Sequence, residues 1–256
     1  MKFVDSHTHL YLDHFAEDRF SVIEKAIHQG VNYMLLPAID RSTFESMSKL
    51  ASDFPENCLP MMGLHPTSVD DQVASELAFV ESELDSGKYI AVGEIGVDLY
   101  WDKTFAEKQT EAFRHQLRLA KKHHLPVVIH TRDSFNEVYS VVIEEKEELL
   151  TGVFHCFTGS FEEAEKIIGL GFKLGIGGVL TFKNAGLQQV VARLPLEAMI
   201  LETDSPYLTP TPYRGKRNES SYIPLIAQKL AELKGKPLQE IAEITTYNAK
   251  KLFKLK

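Results

Sequence analysis

Short apolar runs recur along this chain eight times, and most are separated from the next by a longer stretch with helical spacing. The runs are F-V-D-S-H, V-N-Y-M-L-L-P, C-L-P-M-M-G-L-H, Y-I-A-V-G-E-I-G, P-V-V-I-H, G-V-F-H-C, F-K-L-G-I-G and A-M-I-L-E-T-D, and they read as strands. The stretch 107–123, with Ala112, Leu117, Leu119 and Ala120 apolar, and the stretch 161–170 read as helices. Eight strand-helix alternations in 256 residues predict an α/β chain that closes into a single (β/α)8 TIM-type barrel over residues 1–256. An open dinucleotide-binding sheet is disfavoured, because no Gly-rich phosphate loop follows the first run. No Ser/Gly/Pro linker divides the chain. Residues 207–222, rich in Pro, Arg and Ser, read as a long loop after the eighth strand, and long loops in compact domains are commonly functional.

The polar residues fall on this scheme unevenly. His7 and His9 close the first run, His65 the third, Glu94 the fourth, His130 the fifth, His155 the sixth and Asp204 the eighth. The carboxyl ends of barrel strands share one mouth, so groups scattered over the sequence are predicted to converge there. On an extended strand residues i and i+2 share a face, which would aim His7 and His9 at one point. H-x-H alone is also met as two surface histidines; its recurrence with ligand residues at other strand ends favours a metal site.

Four imidazoles and two carboxylates exceed what one tetrahedral ion needs and match two ions sharing a carboxylate. His7, His9 and Asp204 would hold one, His130 and His155 the other, with Glu94 bridging. A water between them would be the nucleophile, with Asp204 placed to take its proton. The N and O donors suit Zn²⁺ or Mn²⁺ better than Mg²⁺ on softness, although cellular availability can override affinity, so Mg, Mn and Zn all stay open.

A net charge of −8 argues against coating nucleic acid by bulk charge but leaves room for a local basic patch. Arg214, Lys216 and Arg217 in R-G-K-R form such a run, and Arg132 and Lys183 fall on loops of the same face. Such a run is also met as ordinary solvated surface. Arg132 could clamp a phosphate. Tyr100, Trp101, Phe157, Tyr207 and Tyr213 could stack on unpaired bases, or simply pack their loops. His65 is open between a substrate phosphate contact and loop packing, while Asp98 would support the site or cap a turn. His14, His28, His115, His123 and His124 read as solvated, and Cys156 as a buried hydrophobe pointing away from the barrel interior. Two cysteines far apart do not make a disulfide framework, and no apolar run is long enough to span a bilayer. A soluble cytoplasmic protein without an obligate protein partner is expected.

Taken in order, D-S-H-T-H, G-L-H-P, G-E-I-G-V-D, V-I-H-T-R, F-H-C-F-T-G, L-E-T-D-S-P-Y-L-T-P and R-G-K-R-N-E resemble the TatD family of metal-dependent deoxyribonucleases over nearly the whole chain. The resemblance implies a metal-dependent hydrolase barrel of the amidohydrolase type, divalent cations and cleavage of DNA phosphodiesters. It also carries ligand roles onto His7, His9, Glu94, His130, His155 and Asp204, each inside a matching motif. Thr67 stands where many relatives have His, and Val97 and Leu99 where Leu and Tyr are usual, departures that bear on substrate contacts. A deep mouth with a small cationic rim favours exonucleolytic action on single-stranded or frayed DNA, including 3′ ends. Two other readings use the same residues. One is an amidohydrolase-type enzyme acting on a lactone, cyclic amide or aminoacyl ester, although many of those bridge their metals with a carboxylated lysine. The other is a non-catalytic metal-binding scaffold.

Overall fold

A computed structural model describes residues 1–147, 150–183 and 185–256. Every predicted strand forms: β1 (Phe3–Asp5), β2 (Val31–Leu36), β3 (Cys58–Pro60), β4 (Val92–Asp98), β5 (Val127–Arg132), β6 (Gly152–Phe154), β7 (Lys173–Ile176) and β8 (Met199–Leu201). All ladders are parallel, in the orders β1-β2-β3 and β4-β5-β6-β7-β8. Backbone bonds span both seams. Met62 bridges Val92 between β3 and β4, while Thr8 bridges Ser205 and the Ser6 N–H donates to the Leu201 carbonyl at 3.0 Å between β8 and β1. The result is the (β/α)8 barrel predicted from the repeat.

The helices among the described residues are α1 (Arg19–His28), α2 (Phe44–Asp53), α3 (Val73–Leu84), α4 (Ala106–His123), α5 (Phe135–Glu145), α6 (Phe161–Gly169), α7 (Leu187–Arg193), α8 (Ile223–Lys234) and α9 (Leu238–Phe253). On α4 the buried positions Gln109, Ala112, Phe113, Gln116, Leu117 and Ala120 recur at helical spacing, so one face packs on the barrel. Its two buried glutamines bond strand backbone. Gln116 grips both polar groups of Leu64 at 2.7 and 3.2 Å, and Gln109 accepts from the Asp98 N–H at 2.8 Å. These bonds fix the backbone beside His65 and at Asp98, so α4 helps to set the site. A capping box between Ser160 and Glu163 starts α6, and Gly235 in the left-handed region ends α8.

Two buried layers support the mouth. The larger lies chiefly between strands and helices; the smaller joins Val4, Leu35, Met61, Ala91, Val128, Val153 and Ile200 with Ala249 and Phe253 of α9. Val128 and Val153 lie two residues before His130 and His155, on the same strand face, so this layer fills the barrel beneath the histidines and α9 closes its far end. Truncating Phe253 there would cost about 3–5 kcal/mol. Among the described residues no helix is long and apolar enough to cross a membrane.

Candidate metal centre

Glu94 lies within β4 rather than at its end, with its carboxylate buried among five imidazoles. Its Oε2 is 3.1 Å from His7 Nε2 and 3.7 Å from His9 Nε2; its Oε1 is 2.7 Å from His155 Nε2, 2.8 Å from His130 Nδ1 and 3.3 Å from His65 Nε2. Asp204 Oδ1 lies 3.7 Å from both His7 and His9 Nε2. The chain thus gathers two histidines after β1, one after β3, one within β5, one after β6 and an aspartate after β8. Three overlapping groups have donor atoms close enough to hold an ion: His7, His9 and Glu94; His7, His155 and Asp204; and His65, Glu94 and His130.

The pairing of His7 with His9 survives the early end of β1. The Thr8–Ser205 bridge keeps that segment extended, and the two Nε2 atoms stand 3.2 Å apart. Close approach elsewhere depends on glycine. A Cβ on Gly96, which has φ +148°, would meet the His130 carbonyl at 2.0 Å, and one on Gly175 would meet Glu202 Oε2 at 2.1 Å. Asp204 adopts φ +59°, a region a non-glycine residue enters at a cost; its N–H donates to the His7 carbonyl at 2.9 Å and aims its side chain at the cluster.

The outward partner of each ring decides where its lone pair points. Tyr11 donates its hydroxyl to the Pro37 carbonyl at 2.6 Å, so it accepts from His9 Nδ1 at 2.9 Å and leaves the His9 Nε2 lone pair facing Glu94 and Asp204. Asp98 accepts from His130 Nε2 at 2.9 Å, leaving Nδ1 as the inward lone pair. Glu202 stands 3.5 Å from His155 Nδ1 without a hydrogen bond, and the buried Nδ1 atoms of His7 and His155 have no outward partner to fix their tautomers. His65 is opposite in sense. Its Nδ1 accepts the Thr67 N–H at 3.1 Å, so the neutral ring carries its proton on Nε2 and donates inward. Spacing admits His65 as a ligand, whereas its tautomer makes it a hydrogen-bond donor.

Electrostatics follow this packing. Burial alone would raise Glu94, but His155, His65, His7 and His130 hold it well below the usual carboxylate range. Burial pushes Asp204 up to about 6, with His7 and His155 drawing it back, so the carboxylate is ionised at pH 7 and close to a pKa suited to proton transfer. Burial depresses His9, and His7 adds to the effect. Burial opposes protonation of His155 as well, yet Glu94 and Glu202 keep its pKa well above the ordinary value. Carboxylates that hold a proton on the buried His155 in this way are fitting partners for a cation.

Several sequence-predicted residues sit differently. Arg132 ends β5 exposed, with its guanidinium 3.9 Å from the Tyr100 ring centroid and 5.3 Å from that of Trp101. Arg214 lies over Phe182 at 3.6 Å, and Lys216 is 5.8 Å from the Tyr213 ring. Arg217 turns inward to Asp18 at 2.6 and 2.9 Å and to the His14 carbonyl at 2.6 Å, so three of its five N–H donors and its charge are engaged within the protein. Phe157 is buried in the core cluster and so cannot serve as a stacking surface. His14, His28 and His124 are solvated, while His115 and His123 are half-buried on α4. The strand-parity argument fails for Cys156. β6 ends at Phe154, Cys156 turns at φ +46°, and the residue is partly exposed; burial of the thiol and then Asp204, Glu202 and Glu94 push its pKa up.

Sequence reasoning missed Glu202, Tyr11 and Asp5. Glu202 is fully buried, accepts the Cys156 N–H at 2.5 Å and lies two residues before Asp204, the same offset that marked His7 and His9. Tyr11 follows His9 at that offset too. Asp5 ties β1 to the segment after β8 by accepting the Thr203 N–H at 2.9 Å and its hydroxyl at 2.6 Å, and burial pushes its carboxyl up to about 7.

A barrel whose mouth presents inward imidazole lone pairs around a buried carboxylate defines a metal-dependent hydrolase. Residues 4–254 match the family model described as TatD related DNase, and the chain belongs to the TatD family. It is 39% identical over 252 residues to the uncharacterized metal-dependent hydrolase YabD of Bacillus subtilis, covering 98% of each chain. It is 33% identical over 247 residues, 94% of each chain, to a Rahnella protein named 3′-5′ ssDNA/RNA exonuclease TatD. The crystal structure of YJJV, a TatD homolog from Escherichia coli, superposes with a TM-score of 0.93 at 30% identity over 99% of this chain and 98% of that one.

Proposed function

We propose that this protein is a metal-dependent deoxyribonuclease that hydrolyses phosphodiesters exonucleolytically at single-stranded or frayed ends, 3′ ends included, with two divalent cations of Mg, Mn or Zn. The carrying observation is Glu94, whose two oxygens face separate imidazole sets: His7 and His9 on Oε2, His130 and His155 on Oε1. In this reading Glu94 and the two imidazole sets would hold the cations, Asp204 would complete the first set, and the outward bonds to Tyr11 and Asp98 would keep His9 and His130 in the required tautomers. Bound there, two cations supply a water activated near neutral pH and positive charge for phosphoryl oxygens. Asp204, whose Oδ1 lies 3.7 Å from both His7 and His9 Nε2, would accept the proton. His65, carrying its proton on Nε2, donates to a non-bridging phosphate oxygen. Arg132 clamps a neighbouring phosphate, with Tyr100 and Trp101 beneath it, and Arg214 and Lys216 add sequence-independent attraction. Arg217, engaged by Asp18, contributes to loop structure instead. The activity for which the Rahnella relative is named supports a nucleic-acid substrate. Residues 1–256 act in this account as one hydrolase domain in the cytoplasm.

The test is a substrate panel of end-labelled single- and double-stranded DNA, RNA, a lactone and an aminoacyl ester, each with metal and with chelator. Metal-dependent shortening of single-stranded DNA from one end is expected. Turnover confined to the lactone or ester would move the protein to another hydrolase class.

A further inference from the structure

We infer that the groove between the β1 and β2 loops and Tyr207 is the subsite for the terminal nucleoside of the strand, and that its acidic rim ends the strand there. This rests on the nuclease reading above. The groove encloses about 690 Å³, within the range that takes a ligand of nucleoside size. Its inner wall is Tyr11, whose hydroxyl bonds His9, and its outer wall is Tyr207, whose N–H donates to the Asp204 carbonyl at 2.9 Å. It therefore adjoins the side of the cluster formed by His9 and Asp204. Arg132 stands on β5, on the His130 side.

The lining states what the groove accepts. Tyr207 is half exposed, and His14 meets it edge-on with ring centroids 6.1 Å apart, an open aromatic corner for a flat heterocycle. Ser46 and its neighbouring hydroxyls offer polar contacts, while the exposed Asp13 and Glu45 accept hydrogen bonds from exocyclic amines or a sugar hydroxyl. Lys49 is the one lysine among the described lining residues, and no arginine lines the groove. Lys49 is bonded to Asp53 at 2.9 Å, and Arg217 nearby is paired with Asp18. A strand running onward would set its next phosphate against Asp13 and Glu45, within a Debye length of both. A strand that stops at a hydroxyl meets no such repulsion. Arg132 stands across the mouth, and Arg214 and Lys216 do not line the groove, so no phosphate-binding group inside it favours a further nucleotide and the scissile bond falls one nucleoside from the end, which gives exonucleolytic action a structural cause.

The test compares single-stranded oligonucleotides bearing a hydroxyl or a phosphate at the end from which digestion proceeds, with bis(4-nitrophenyl) phosphate as a diester lacking a nucleoside. Wild-type kcat/KM should favour the hydroxyl end by about tenfold or more, a preference that Glu45→Lys should shrink to about threefold or less. Ser46→Trp, which fills the groove, should lower the DNA to bis(4-nitrophenyl) phosphate ratio of kcat/KM by about tenfold. Tyr207→Ala, at an exposed position, should lower the same ratio and keeps the test open should Ser46→Trp fail to fold. Equal rates on both ends, or an unaltered ratio in a folded groove variant that still cleaves DNA, overturns the subsite and leaves the nuclease reading standing. Absence of DNA cleavage by wild type with every metal overturns the nuclease reading and the subsite with it.

Discussion

Replacing Asp98 by Asn changes almost nothing in size and should nevertheless weaken one metal position selectively. Asp98 is buried, its N–H is held by Gln109, its Oδ1 accepts from the Tyr100 N–H at 3.0 Å, and its Oδ2 faces His130 Nε2 at 2.9 Å. Burial would raise its pKa, but the bonds from His130 and Tyr100 hold it below the ordinary value, so it accepts at neutral pH. Asn keeps the oxygen for Tyr100 and turns its amide toward Nε2. Two donors cannot share that contact, so the ring proton moves to Nδ1, which lies 2.8 Å from Glu94 Oε1, and the inward lone pair is lost. Loss of such a supporting partner costs about 10- to 100-fold in metal affinity, or about 1.4–2.7 kcal/mol. Calorimetric titration of chelator-treated protein should show two binding events in wild type and a weakened event in Asp98→Asn, with the other unchanged. Superimposable isotherms would refute the tautomer argument, as would equal weakening of both events.

Asp204→Asn should lower kcat by about 10² to 10⁴ across a full metal titration, while recovery of wild-type kcat at saturating metal would leave Asp204 a ligand only. Arg214→Ala with Lys216→Ala should flatten the salt dependence of DNA binding, whereas Arg217→Ala should leave that slope alone and cost within about 1 kcal/mol of stability, read by thermal melting. Glu145, tied to Arg118 at 2.7 Å and Lys121 at 3.0 Å, has its pKa held down at about 2 by these partners against an ordinary 4.5. Its contribution is complete above pH 4.5 and drains away as pH falls toward 2. Discounted for the solvent around Arg118, Glu145→Gln should cost about 1 kcal/mol in urea melts at pH 7 and close to nothing at pH 2.

What the sequence disclosed was set by short-range rules. Alternation of apolar runs with helical stretches located all eight strands, and the helix expected over 107–123 forms as Ala106–His123, because both depend on local periodicity. The i, i+2 rule joined His7 to His9, and it would equally have joined Glu202 to Asp204 had it been applied there. Partnerships between strands stayed hidden. Asp98 meets His130 across 32 positions, Thr203 meets Asp5 across 198, and Arg217 meets Asp18 across 199. Such contacts fix tautomers and commit charges, so sequence alone left His65 open and counted Arg217 among phosphate contacts. Cys156 fails for a different reason: a left-handed turn directly after a three-residue strand breaks the alternation on which the argument depended.

The central claim is a dinuclear centre bridged by Glu94, and the most direct test is anomalous diffraction from metal-loaded crystals with elemental analysis of the same protein. The account predicts two ions per chain, about 3.5–4 Å apart. One should lie on Oε2 with His7, His9 and Asp204, the other on Oε1 with His130 and His155. A fully active protein holding a single ion, or ions bound away from Glu94, would contradict it.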